Sequence, residues 1–365
     1  MKPVLLIEFL RSRGAGELTK IDTQSYPWEL LIRQSRRANL ISRVALFLRE
    51  AGILDDIPTR PRQHFVNALC IAKANARAIN WEVRDLYQIL RGQNIDFILL
   101  KGSAYIWSEN SAARGRLFSD VDIMVRKPSL EDAERVLVHS GWMGSTLNSY
   151  DQRYYRQWMH EIPPLQHLKR QTTLDLHHSI IPPVSYPDFP AEKLWQLAIP
   201  AEDMPGLFVL SHIDMVLHSA THLFHEGEFD QGLRDLSDLD LMIREYILDS
   251  VLWEELLARA VELGLELPLY YALNYTQKIL DTPVPEQILQ KAAQQRSRGH
   301  LPDRLLDSLF LAAFVPDHET CRVRGRRVAR FLLFIRSHWI KMPWYLLFPH
   351  LIRKGWLRLQ GENSH

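Results

Sequence analysis

Two aspartates one residue apart, Asp120 and Asp122, stand in the run Ser119-Asp120-Val121-Asp122-Ile123-Met124-Val125, where carboxylates alternate with hydrophobes. Alternate side chains of a strand share a face, so this pattern projects both carboxylates together and sends Val121 and Ile123 into a core. Two adjacent like charges repel unless a cation or a proton compensates. Hard divalent ions, Mg²⁺ above all, are held by one or two carboxylates together with substrate phosphates. The pair therefore reads as a metal site serving a phosphorylated substrate. A bare Asp-x-Asp also fits a solvated strand edge, so the reading leans on its surroundings. Upstream, the apolar run Phe97–Leu100 ends abruptly in Lys101-Gly102-Ser103. Glycine lets a backbone approach a ligand closely, and successive N–H groups at a helix start attract phosphate.

Strand, Lys-Gly-Ser turn, helix, then a strand carrying Asp-x-Asp resembles the DNA-polymerase-β-like nucleotidyltransferases. The passage LLKGSAYIW through RGRLFSDVDIMV is more closely similar to a bacterial family of that superfamily, the uncharacterised nucleotidyltransferases. There the turn reads Lys-Gly and an arginine shortly precedes Asp-x-Asp, as Arg116 does here. Sixteen residues separate Ser103 from Asp120, which is long for compact members of the superfamily but suits this family. The resemblance implies an α+β fold, a small mixed sheet with backing helices between N-terminal and C-terminal helical regions. It also implies transfer of a nucleoside monophosphate, AMP, from a Mg²⁺-bound triphosphate such as ATP to a hydroxyl acceptor. Gly102 and Ser103 would hold the β and γ phosphates. Lys101 or Arg116 would offset charge on the leaving pyrophosphate, and Asp120 and Asp122 would bind the metal.

Further along, Pro164-Leu165-Gln166-His167-Leu168, a polar turn near Lys169–Thr172, and Thr173-Leu174-Asp175-Leu176-His177-His178 read as a hairpin, with Asp175 and His177 on one face of its second strand. A third carboxylate on a neighbouring strand is what two-metal transfer chemistry calls for, since it completes the coordination that activates the attacking hydroxyl. TLDLHHSI resembles the family's Asp-Leu-His strand, which makes Asp175 the third metal-binding and catalytic acid. For His177, a bond to a backbone group and contact with the acceptor are both open. In the helical stretch 211–225, Ile213, Val216, Leu217, Ala220, Leu223 and Phe224 share one side, and Asp214, His218, His222 and His225 gather opposite. That polar stripe is read as facing the nucleotide cleft, where His218 and His222 would bind the acceptor. Zinc on His-x3-His and a solvated face are the other readings.

These residues need elements to position them. Apolar positions at helical spacing run through 27–50 and 61–91, with Gly92 closing the second helix. A helix opens at Ser129, and an irregular aromatic run follows at 144–162. A proline-rich linker leaves the sheet at 182–190, and helical patterns continue from about 205 to 313. The expected organisation is a helical cap at 1–95, a nucleotidyltransferase core at 96–190, a helical domain at 191–320 and a basic aromatic tail at 321–365.

With 46% hydrophobic and 24% charged residues, the chain reads as a globular protein. Two distant cysteines, Cys70 and Cys321, without Cys-x-x-Cys, argue against a disulfide framework or zinc ribbon. Neither a signal peptide nor a membrane span is legible, so a cytoplasmic place, peripheral at the membrane, is expected. The net charge of +1 conceals ten Lys and Arg residues at 321–360 without one acid. Mixed with Phe, Trp and Leu, they suit an anionic membrane surface or an acidic partner, or else a packed terminus paired with the acidic remainder. Nucleic acid is not an expected partner. A catalytically silent nucleotide-binding protein, or a membrane- or protein-docking adaptor, is the alternative to an enzyme.

Overall fold

The structure is a computed structural model that describes residues 4–144, 149–186, 189–227, 229–296 and 302–341; residues 342–365 of the basic tail lie outside it. Helices α1 (Leu5–Gly14), α2 (Trp28–Arg37), α3 (Ile41–Glu50) and α4 (Thr59–Arg91) precede strand β1 (Phe97–Leu100). Then come α5 (Lys101–Trp107), β2 (Asp120–Val125), α6 (Leu130–His139), β3 (Trp142–Gly144), α7 (Ser149–Trp158), β4 (Leu165–His167) and β5 (Thr173–His177). A short α8 (Ala191–Gln196) leads to β6 (Ile199–Pro200) and β7 (Leu207–Val209). Helices α9 (His212–Glu226), α10 (Gly232–Tyr246), α11 (Ser250–Leu263), α12 (Glu266–Leu280), α13 (Glu286–Gln295), α14 (Asp303–Ala313) and α15 (Arg326–Lys341) complete the described chain.

The strands form one mixed sheet in the order β3-β4-β5-β2-β1-β7-β6, which places β2 in the middle. Central strands covered on both faces read as continuous apolar runs, and β1, Phe-Ile-Leu-Leu, is buried throughout. β2 runs antiparallel to β1 and parallel to β5, while β4 and β5 form the expected antiparallel hairpin. The mixed α+β character agrees with the reading of the sequence. The sheet, however, takes its last two strands from 199–209, so it draws on chain beyond the 96–190 core.

Two local expectations change. The stretch 27–50 is two helices rather than one, because Asn39 adopts a left-handed conformation (φ 55°) between them. Asparagine tolerates that region better than most residues, and a single such residue stops a helix. Within the aromatic run at 144–162, Ser149–Trp158 is helical, as α7. A single hydrophobic core also joins all the regions, from Val4 through the sheet to Leu333.

The long helix α4 turns Phe65, Ala72, Ile79, Val83, Leu86 and Leu90 inward, steps of three, four and seven that keep one face on the core. From its middle, the Asn75 amide clamps the backbone of Phe118: Nδ2 donates to the carbonyl at 3.0 Å and Oδ1 accepts from the N–H at 2.8 Å. That clamp fixes the chain two residues before Asp120.

Candidate active site

Parallel pairing of β2 with β5 sets Asp122 opposite Asp175 and Asp120 opposite Thr173. Paired residues on neighbouring strands project from the same face, so all three aspartates stand on one side of the sheet. Oxygen atoms of Asp122 and Asp175 and a ring nitrogen of His177 lie within 4.8 Å of one another. Asp120 stands two residues away, at the more open start of β2.

The electrostatics separate the three acids. Burial alone would push Asp122 up, but the Lys101 ammonium and the His177 ring override it and hold the carboxyl well below the usual carboxylate range. Lys101 Nζ is 2.8 Å from Asp122 Oδ1, and His177 Nε2 is 3.1 Å from the same oxygen. Asp175 goes the other way, pushed up to about 8 by burial, Asp122 and Glu161. Its Oδ1 is shut away from solvent with no hydrogen-bond partner. Asp120 is raised by burial and by Asp122, against the pull of Lys101. His177 is raised: burial opposes its charge, but the bond to Asp122 and the nearby Glu161 outweigh it.

The first turn of α5 brings Lys101 to this cluster. Lys101 itself takes φ 44°, a left-handed conformation that costs a side-chain-bearing residue roughly 1–3 kcal/mol. Gly102 follows because nothing larger fits, since a Cβ there would run into the Phe118 ring. Turn and Asp-x-Asp strand thus close on each other at Phe118, which Asn75 holds from the other side.

Two side chains named for the phosphates have partners within the fold. The Ser103 hydroxyl is buried and donates to the carbonyls of Leu100 (2.8 Å) and Asp122 (3.1 Å). It ties the turn to β2, so only the backbone of Ser103 remains for a ligand. The Arg116 guanidinium is ion-paired with Asp238 and lies 3.8 Å from Asp235, both on α10, between the rings of Tyr105 and Phe118. Asp238 is shared with Arg43 of α3 at 2.7 Å, both side chains buried. Arg116 is therefore a strut between the chain leading into β2 and the C-terminal helices.

The polar stripe on α9 divides. Asp214 is fully buried and held bidentately by Arg259 of α11, both distances 2.8 Å, so it does not face a cleft. His218 is 4% exposed, which excludes a solvated face there. Its imidazole is pushed well below its usual range by burial, then by Lys101, His222 and His177, so this part of α9 borders the acid cluster. A hydrogen bond between Tyr105 of α5 and Ser219 of α9 fastens the two helices at this point. His222, one turn on, is half-buried. Among the described residues, the potential metal-holding groups do not include His218 or His222.

Sequence reasoning missed Glu161 and His160. Glu161 forms an isolated bridge with His177, and its Oε2 lies 3.4 Å from His177 Nδ1. The His160 and His177 rings are 5.3 Å apart. A His-Glu dipeptide closing the aromatic run was the available signal, but the run has no periodicity to show which way either side chain points.

These residues fit a hard cation. The donor set is mainly carboxylate oxygen, and the partnerless Oδ1 of Asp175 is a buried acceptor that a positive charge would satisfy. No curated protein and no solved structure matches the chain. A family model described as uncharacterised nucleotidyltransferase matches residues 24–281, well over half of the sequence and all of the sheet, and the protein belongs to that family.

Proposed function

We propose that the protein moves a nucleoside monophosphate, AMP, from a Mg²⁺-bound triphosphate to a hydroxyl acceptor, on a core of the DNA-polymerase-β-like type. The observation that carries this reading is the register of β2 and β5. It sets Asp122 against Asp175 on the face that also bears Asp120, and leaves Asp175 Oδ1 buried without a partner. Membership of a nucleotidyltransferase family supports a nucleotide as the donor.

In this reading Asp120, Asp122 and Asp175 hold Mg²⁺. The bound ion supplies charge neutralisation for the triphosphate and lowers the cost of ionising groups around it. The chain's own residues do the rest. Lys101, 2.8 Å from Asp122, offers its ammonium to phosphate oxygens, with the backbone at Gly102 and Ser103 beside it. His177 orients Asp122 through Nε2 and is itself steadied by Glu161. Asp175, which the bound ion would keep ionised, takes the acceptor's hydroxyl proton as the acceptor oxygen bonds to the α-phosphorus and the bond to the β-phosphate oxygen breaks, releasing pyrophosphate. His218 and His222, on the α9 face bordering the cluster, bind the acceptor.

The test is pyrophosphate release on mixing the protein with ATP, Mg²⁺ and cell extract, with mass spectrometry for the adenylylated species. Release that requires Mg²⁺ and disappears with Asp122→Asn is expected. Triphosphate binding without release, unchanged by extract, would overturn transfer and leave a silent nucleotide-binding protein.

A further inference from the structure

Helix α15 presents its apolar side outward. An amphipathic helix normally lays its larger apolar stripe on the core. Here Val328, Phe331, Leu332, Ile335 and Trp339 are each between 39% and 61% exposed. Their spacing of three, four and seven keeps them within an arc of roughly 100° on the helix. The opposite arc carries Ala329, Leu333 and Ser337, which are buried. The rotation of the helix is pinned from that side. Gly227, at the end of α9, comes so close to Ser337 that a Cβ would collide with it.

The arginines nearest the body are spent on the fold. Arg330 reaches Asp230 at 2.6 Å and the Ala313 carbonyl at 3.1 Å. Arg336 lies over the rings of Tyr271 (5.1 Å) and Phe310 (5.6 Å). Arg326 pairs with Asp317 and donates to the Pro316 carbonyl. This answers part of the sequence question about the tail, because these three cations belong to a packed terminus. Arg322, Arg324 and Arg327, by contrast, are exposed at the start of the helix. The sequence beyond it, MPWYLLFPHLIRKGWLRL, adds Arg353, Lys354 and Arg358 among aromatic and aliphatic residues, again without an acid.

We propose that the outward face of α15 docks on an anionic lipid surface, with Phe331, Ile335 and Trp339 entering the interfacial layer and the surrounding cations meeting headgroups. Charge complementarity selects this occupant. A face of bulky apolar residues bordered by arginines is what binds anionic bilayers, the stretch 321–360 contains no acid, and the nearby Asp230 and Asp317 are each paired with an arginine of the helix. The same absence disfavours a second copy of the chain, since two α15 faces brought together would set like charges against each other. Among the described residues no helix is long and apolar enough to cross a membrane. The inference does not depend on the transfer reading, because the site residues lie on the sheet, α5 and α9.

The experiment is flotation of the full-length protein with vesicles of phosphatidylcholine alone and of phosphatidylcholine mixed with phosphatidylglycerol. Flotation with the mixed vesicles only, lost as salt is raised, is expected. Phe331→Glu with Ile335→Glu should reduce the floated fraction at least tenfold, while thermal stability and triphosphate binding stay at wild-type levels because both positions are exposed. Equal flotation of the double variant, or no flotation of the wild type, would overturn the proposal. So would a wild-type dimer in sedimentation that the double variant converts to monomer, which would assign the face to a second copy. Capture of an acidic protein in place of lipid would overturn it as well.

Discussion

Replacing Asp122 by Asn tests whether the acid cluster is held by repulsion balanced against ligand, or by internal pairing. Three clustered carboxylates suggest that removing one charge should stabilise the ligand-free protein. The structure gives the opposite sign. Asp122 is almost fully buried, with Lys101 Nζ at 2.8 Å and His177 Nε2 at 3.1 Å, and Asp175 opposite it is protonated at neutral pH because its carboxyl is pushed up to about 8. Breaking a buried ion pair by removing one partner costs about 3–5 kcal/mol. The asparagine oxygen still accepts a hydrogen bond, which recovers about 1 kcal/mol. Relief of repulsion from Asp120 returns about 1 kcal/mol at partly solvated separations. The net is a loss of about 1–3 kcal/mol. With an unfolding entropy of ~2.1 cal/mol/K per residue, 365 residues give ~0.8 kcal/mol/K, so Tm should fall by ~1–4 °C. The assay is calorimetry in chelator-containing buffer. Because the folded carboxyl lies below its ordinary value of 3.8, its contribution is present above that pH and lost as pH falls through the folded value. The gap between wild type and variant should therefore close under acid conditions. An unchanged or raised Tm at pH 7 would refute the pairing argument.

Asp175→Asn should behave oppositely in the same buffer. The folded carboxyl binds its proton up to about pH 8 and the unfolded one only to about 3.8, so wild-type stability declines as pH rises through that window. The variant escapes the decline, and melting curves at pH 5 and pH 8 should show its advantage growing. Both variants should lose the joint stabilisation by Mg²⁺ and triphosphate that the wild type shows. Gly102→Ala should cost about 1–3 kcal/mol by overpacking against Phe118 and lower turnover by displacing Lys101; a steady-state assay with a melting curve reads both. Arg116→Gln should destabilise by about 1.5–3 kcal/mol, since Asp235 and Asp238 lose one buried partner but keep Arg234 and Arg43. The apparent affinity of the remaining folded protein for triphosphate should be unchanged, and a large loss of affinity would restore Arg116 to the phosphates.

What the sequence displayed of this site is what local periodicity can display. Alternation placed Asp120 with Asp122 and Asp175 with His177, and both pairs share faces as expected. The hairpin of β4 and β5 was legible from its turn. The parallel pairing of β2 with β5 was not, because it joins strands separated by α6, β3, α7 and β4, and it is this pairing that sets Asp122 against Asp175. Side-chain direction within a turn was equally hidden. Lys-Gly-Ser marks a turn, but whether Ser103 faces ligand or Leu100 depends on the left-handed backbone at Lys101.

The stripe on α9 shows the limit most directly. Asp214 and His218 lie one turn apart on a single face, and both are buried. At Asp214 the neighbour is a guanidinium from α11, which neutralises the carboxylate and ends its chemistry. At His218 burial disfavours the charged ring, and Lys101, His222 and His177 add to that, so the imidazole is held well below its usual range and can accept a hydrogen bond. One face thus contains a structural anchor and a candidate ligand-binding group. The difference comes from α11 and the 101–103 turn, which lie along that face, and neither is encoded in the helix's own 15 residues.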